Sequence, residues 1–241
     1  MKFPELPFSE RNDNKISYLI VHCCAFSPEK AVRSFYDNDV SAHYIISGKG
    51  KIYPLVRDEK CAWHAGKSFW DGQTSLNKLS IGIELSSPAL GQNRYSKSQI
   101  SALINLLKKL QKKYHIKPQH ILGHSDIAPD RKPDPGKGFP WKKLAENNIG
   151  LWYDLADADK IDFDNPAELL KLIGYDTENL KAAICAFCRH FYPARIKKID
   201  SIHELLDFPF AQDIKIDKKL IRRMKAVAYA YAKASKKPCN I

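Results

Sequence analysis

Apolar positions form short β-rich runs in the first half of the chain and helical stripes in the second. Residues 16–24 (ISYLIVHCC) are an apolar, β-branched run that predicts a buried strand, and 80–86 (SIGIELS) predict another. Residues 43–47 and 51–56 read as two strands joined at Gly48-Lys49-Gly50, a hairpin signal, and 120–123 as a short strand. A short helix is expected over 28–36, with Ser27 as cap and Pro28 in its first turn. A longer one starts after Ser96, carries Ile100, Leu103, Leu106, Leu107 and Leu110 at helical spacing, and ends near Tyr114. The segment 123–136 (GHSDIAPDRKPDPG) holds three prolines and is expected to be a stiff surface loop without regular structure.

Beyond residue 160 the pattern becomes helical. Residues 166–173 lie between an Asn165 cap and Gly174; 178–192 carry Leu180, Ile184, Phe187 and Phe191 on one stripe; 218–234 carry Leu220, Met224, Val227 and Tyr231 on another. Strands and helices mixed in this order predict an α/β fold, a mixed β-sheet flanked by helices, over 10–153. Three helices with one apolar face each predict a small all-α domain over 165–236, joined by the acidic stretch 154–164.

Composition narrows this picture only a little. With 241 residues, 44% hydrophobic and 27% charged, the chain reads as a globular protein of one or two domains. It has no apolar run of the roughly 18–20 residues that span a bilayer. The N-terminal stretch has no apolar leader core, which favours the cytoplasm; a periplasmic or envelope protein whose export signal had been removed would look the same. Cys23, Cys24, Cys61, Cys185, Cys188 and Cys239 follow no disulfide spacing and are expected to be reduced, mostly buried thiols. The net charge of +12 favours anionic partners, and residues 165–241 hold 15 Lys/Arg against 8 Asp/Glu. Basic residues at 218–225 could face nucleic acid, but no recognition motif accompanies them, and no nucleic-acid partner is expected.

Catalytic zinc takes three protein ligands and keeps a fourth position open. His22 at the end of a buried strand, His124 at the start of the proline-rich segment and Asp134 between Pro133 and Pro135 are candidates. Ile81, Ile83 and Leu85 face the core, so Ser80, Gly82 and Glu84 take the other, exposed face, where Glu84 could act as a general base. Lys132, two residues before Asp134, would point to the same side of an extended loop. Each has a plainer reading: a structural strand histidine, a solvated glutamate, a surface lysine. Cys24 shares the face of His22, and Cys185 and Cys188 form a CxxC, but packing explains all three.

Five segments carry a resemblance: LIVHCCA (19–25), VSAHYIISGKGKIYPLV (40–56), AWHAG (62–66), SIGIEL (80–85) and GHSDIAPDRKPDPG (123–136). They resemble, in order, the zinc-dependent N-acetylmuramoyl-L-alanine amidases, a family that includes bacterial and phage enzymes and animal peptidoglycan recognition proteins. The resemblance implies zinc on His22, His124 and Asp134, catalysis by Glu84 and Lys132, and a substrate cleft lined by Trp63, His64 and, by the same pattern, His43. It further implies a peptidoglycan or muropeptide substrate and a C-terminal helical domain like a peptidoglycan-binding module. Two rivals stay in view: a recognition protein that binds without cutting, and a zinc peptidase acting on the stem peptide.

Overall fold

The computed structural model describes residues 3–12, 15–87, 95–197 and 212–236; Cys239 and 198–211 of the expected helical domain lie outside the described residues. In chain order the strands are β1 (Phe8–Glu10), β2 (Tyr18–Cys24), β3 (Tyr44–Ile46), β4 (Ile52–Pro54), β5 (Lys60–Ala62), β6 (Phe69–Trp70), β7 (Gln73–Thr74), β8 (Ser80–Ser86) and β9 (Ile121–Gly123). The helices are α1 (Pro28–Asp37), α2 (Lys97–Tyr114), α3 (His124–Ile127), α4 (Trp141–Ala145), α5 (Pro166–Ile173), α6 (Leu180–Phe191) and α7 (Lys218–Ser235). The main sheet runs β4-β3-β8-β2-β9, with β3, β8, β2 and β9 parallel and β4 antiparallel to β3. The expected mixed sheet flanked by helices is present, and the caps Ser27, Ser96 and Asn165 all accept backbone N–H bonds.

Alternation assigns the two faces. Leu19, Val21, Ile81, Ile83 and Leu85 pack on one face against Leu103, Leu107 and Leu110 of α2, all buried. Each fully buried leucine there contributes about 2–3 kcal/mol through the surface it removes from water. On the other face Tyr18, Ile20 and Leu122 join Trp70, Leu169, Phe187 and Tyr231 in one continuous apolar cluster. Thus α5, α6 and α7 meet the sheet as well as one another. The acidic stretch 154–164 forms a 3-10 helix, Leu155–Lys160, that lies along α7.

Two expectations need correction. Helix α6 does not have a single apolar stripe: Ala182 through Phe191 are buried all round, because the helix is enclosed by its neighbours and by the turn that follows β9. Segment 123–136 is neither irregular throughout nor on the surface. Its prolines begin at residue 129, which leaves 124–127 free to form the single turn α3, and His124–Ala128 and Asp134–Gly136 are buried. Gly174 ends α5 as expected; its φ of +132° and the Trp70 ring 2.9 Å from where a Cβ would sit both require glycine.

Asp58 ties the end of α2 to the sheet. Its carboxylate accepts from Tyr44 (2.6 Å), Tyr114 (2.7 Å) and Lys113 (3.1 Å), and its backbone carbonyl accepts from Arg11 (2.9 Å). Burial works against its charge, but these donors outweigh burial and hold the carboxyl below the usual aspartate range. A depressed folded pKa stabilises fully above the unfolded value of about 3.9 and is lost as pH falls through the folded one. Asp58→Asn is therefore expected to cost on the order of 1–3 kcal/mol at pH 7. It should flatten the loss of stability below about pH 4, as read from urea midpoints across pH.

Candidate metal centre and active site

Parallel pairing assembles the site. The register sets His22 beside Glu84 and Val21 beside Gly123, so His124 leaves β9 next to His22 at the carboxyl ends of the strands. In parallel sheets this edge is where ligands bind. Asp134 is brought back to the same point by a backbone bond from Ser125 N–H to its carbonyl (2.8 Å).

Three buried lone-pair donors converge. His22 Nδ1 lies 2.9 Å from His124 Nδ1 and 3.4 Å from Asp134 Oδ2, and His124 Nδ1 lies 3.3 Å from the same oxygen. Ligands at about 2.0–2.1 Å around a tetrahedral ion stand roughly 3.3 Å apart, so the set has the span of a metal centre. Among the described residues these three form the one such group.

The outer hydrogen bonds explain why both Nδ1 atoms face inward. Ser80 donates its hydroxyl to the Leu76 carbonyl (2.6 Å), which can only accept. Ser80 Oγ then accepts from His64 Nε2–H (3.2 Å), leaving His64 Nδ1 to accept from His22 Nε2–H (2.9 Å). His22 is thereby fixed with an unprotonated Nδ1. His124 donates Nε2–H to the Ala65 carbonyl (3.3 Å) and likewise keeps Nδ1 free. Burial pushes His22 down to about 4, so its ring is neutral at neutral pH. The Asp134 carboxylate, also buried, faces both bare nitrogens. Two inward lone pairs and a carboxylate with no proton between them repel one another unless a cation sits among them, and a dication suits this donor set.

Glu84 is half-buried, and its Oε2 is buried without a hydrogen-bond partner among the described residues. Burial first and the charge of Asp134 second push its carboxyl up to about 8, while Lys132 pulls it down. The Lys132 ammonium thus acts on Glu84 and also on His22. It gets there from a turn, its N–H bonded to the Ala128 carbonyl (3.0 Å), rather than from an extended loop.

The profile of a family described as N-acetylmuramoyl-L-alanine amidase matches residues 12–137. The chain is 36% identical over 209 residues to N-acetylmuramoyl-L-alanine amidase AmiD of Escherichia coli K12, covering 74% of this chain and 76% of that one. It is 38% identical over 105 residues to 1,6-anhydro-N-acetylmuramyl-L-alanine amidase AmpD of Enterobacter cloacae, covering 44% and 55%. The E. coli AmiD structure in complex with anhydro-N-acetylmuramic acid-L-Ala-D-γ-Glu-L-Lys superposes with a TM-score of 0.73 at 29% identity, over 98% of this chain and 92% of that one. This chain belongs to the N-acetylmuramoyl-L-alanine amidase family. It is an amidase with the fold of its relatives.

Within this amidase, the residues expected to line the cleft separate. Trp63 is exposed, its indole N–H bonded to Ser9 (3.3 Å). His43 and His64 are buried and do not line an open surface. His43 Nδ1 accepts from Gly82 N–H (3.0 Å), and the His64 ring lies over Gly82, 2.4 Å from where a Cβ would be. Both rings have their nitrogens committed inside the protein. The face of Glu84, expected to be exposed, is covered for the same reason. Cys24 is turned to the Phe26 carbonyl and takes no part in the metal group. Sequence reasoning missed Ser80, although its alternation with Gly82 and Glu84 marked it. It also missed Asn77, whose Oδ1 accepts from the N–H groups of His64 (3.0 Å) and Ala65 (2.7 Å).

Gly82→Ala is expected to displace the His64 ring and break its bond to His22. Zinc affinity, measured by chelator competition, should fall about 10–100-fold.

Proposed function

We propose that the chain hydrolyses the amide between the lactyl group of N-acetylmuramic acid, or its 1,6-anhydro form, and L-alanine of the stem peptide. The enzyme works with one zinc ion held by His22, His124 and Asp134. The observation that carries the reading is the convergence of three unprotonated donors beside a buried carboxylate oxygen that lacks a partner among the described residues. Support for the substrate comes from the relatives: AmiD was solved with an anhydro-muramyl tripeptide, and AmpDH3 of Pseudomonas aeruginosa with anhydromuramic pentapeptide (TM-score 0.72, 29% identity, 97% of this chain and 96% of that one).

When bound, zinc supplies Lewis acidity and lowers the pKa of a coordinated water toward about 7. Glu84 takes the proton of the water that attacks the lactyl carbonyl and returns it to the departing alanine amine. A carboxyl raised above its ordinary range suits the return of the proton to the departing amine. Lys132 offsets the negative charge that gathers on the carbonyl oxygen. Trp63 offers an exposed ring face to sugar or peptide. The basic surface draws in carboxylate-bearing stems. All these residues fall within 10–153, the unit read as catalytic, and the helical unit 165–236 is read as able to contact the wall polymer.

Glu84→Gln is expected to lower release of intact stem peptide from an anhydro-muropeptide by about 100–10,000-fold while one zinc stays bound, with products followed by mass spectrometry. Lys132→Met is expected to lower it by about 100–1000-fold. A zinc-loaded wild type that binds the muropeptide and releases nothing would favour the recognition reading instead. Products cut within the stem would make the protein a peptidase.

A further inference from the structure

The carboxylate of Asp126 is fully buried two residues from His124. Its own turn gives it one donor, the Gly123 N–H (2.7 Å), and two more arrive from the C-terminal helical segment: the Tyr175 hydroxyl (2.7 Å) and His190 Nδ1 (2.8 Å). A buried carboxylate with too few donors is costly, so the distant donors decide whether Asp126 can hold this turn. Both are themselves fixed. Tyr175 meets Trp70 edge-on at 4.8 Å, and His190 stacks on Trp141 at 3.9 Å and 15°. Trp141 in turn packs on Gly123, 3.1 Å from where a Cβ would sit, and Pro135, which follows Asp134, packs there at 2.7 Å. The chain of contacts therefore reaches both His124 and Asp134.

We infer that Tyr175 and His190 are positioning residues for the metal group: through Asp126 they hold the turn that carries His124 against the segment that carries Asp134. The helical segment is then part of what shapes the metal centre, whatever else it binds. This rests on the reading of His22, His124 and Asp134 as zinc ligands.

The test uses the full-length protein and two readouts, zinc affinity by chelator competition and the visible spectrum of the cobalt-substituted protein. Tyr175→Phe removes one donor with little change of shape, and His190→Leu removes the other. His190→Asn keeps an N–H near the place of Nδ1, and Ile184→Val perturbs packing in α6 without touching Asp126. Tyr175→Phe and His190→Leu are expected to weaken zinc binding about tenfold and to alter the cobalt spectrum. His190→Asn should recover most of both, and Ile184→Val should leave both unchanged even if its melting temperature falls as far. Wild-type zinc affinity and spectrum in Tyr175→Phe would overturn the inference, and this variant decides the matter should His190→Leu fail to fold. A wild type that binds no zinc would overturn the metal reading, and this inference with it.

Discussion

The parallel register of β2 with β8 and β9 is the constraint on which the rest depends. One step of slip between β2 and β8 would turn His22 and Glu84 to opposite faces of the sheet. In the observed register they stand side by side, and the exit of β9 delivers His124 beside them. Leu19, Val21, Ile81 and Ile83 hold that register by burying their side chains against α2, so the leucines on one face set the geometry of the chemistry on the other.

The second face must do something harder: keep polar groups dry without losing them to water or to one another. The structure meets this with directed hydrogen bonds. A carbonyl that can only accept, that of Leu76, sets the direction of a chain through Ser80 and His64 to His22. The chain leaves one histidine nitrogen bare where it is useful. Among the described residues Glu84 Oε2 lacks such a partner, and the buried Asp134 carboxylate faces two bare imidazole nitrogens. These groups are buried, and a low-dielectric surround strengthens every interaction within it.

Much of this was legible in the sequence, for a physical reason in each case. The strands holding His22 and Glu84 are apolar runs, so their presence and the face of Glu84 could be read directly, as could α1, α2 and α5 from their caps. The adjacency of the two strands could not be read, because strand order is a tertiary property. His43 and His64 were expected in the cleft from the resemblance, which carries no information on burial; the partners that make burial tolerable, Gly82 N–H and Ser80, lie elsewhere in the chain. The prolines of 123–136 concealed the turn that precedes them. The contacts of Asp126 span 49 and 64 residues and leave no periodic mark.

Zinc K-edge X-ray absorption of the zinc-loaded protein tests the central claim most directly. The account predicts nitrogen and oxygen ligands only, at about 2.0–2.2 Å, with the multiple scattering of two imidazoles. A sulfur ligand at about 2.3 Å, which would bring Cys24 or the buried thiols of α6 into the shell, or a shell with fewer than two imidazoles, would contradict it.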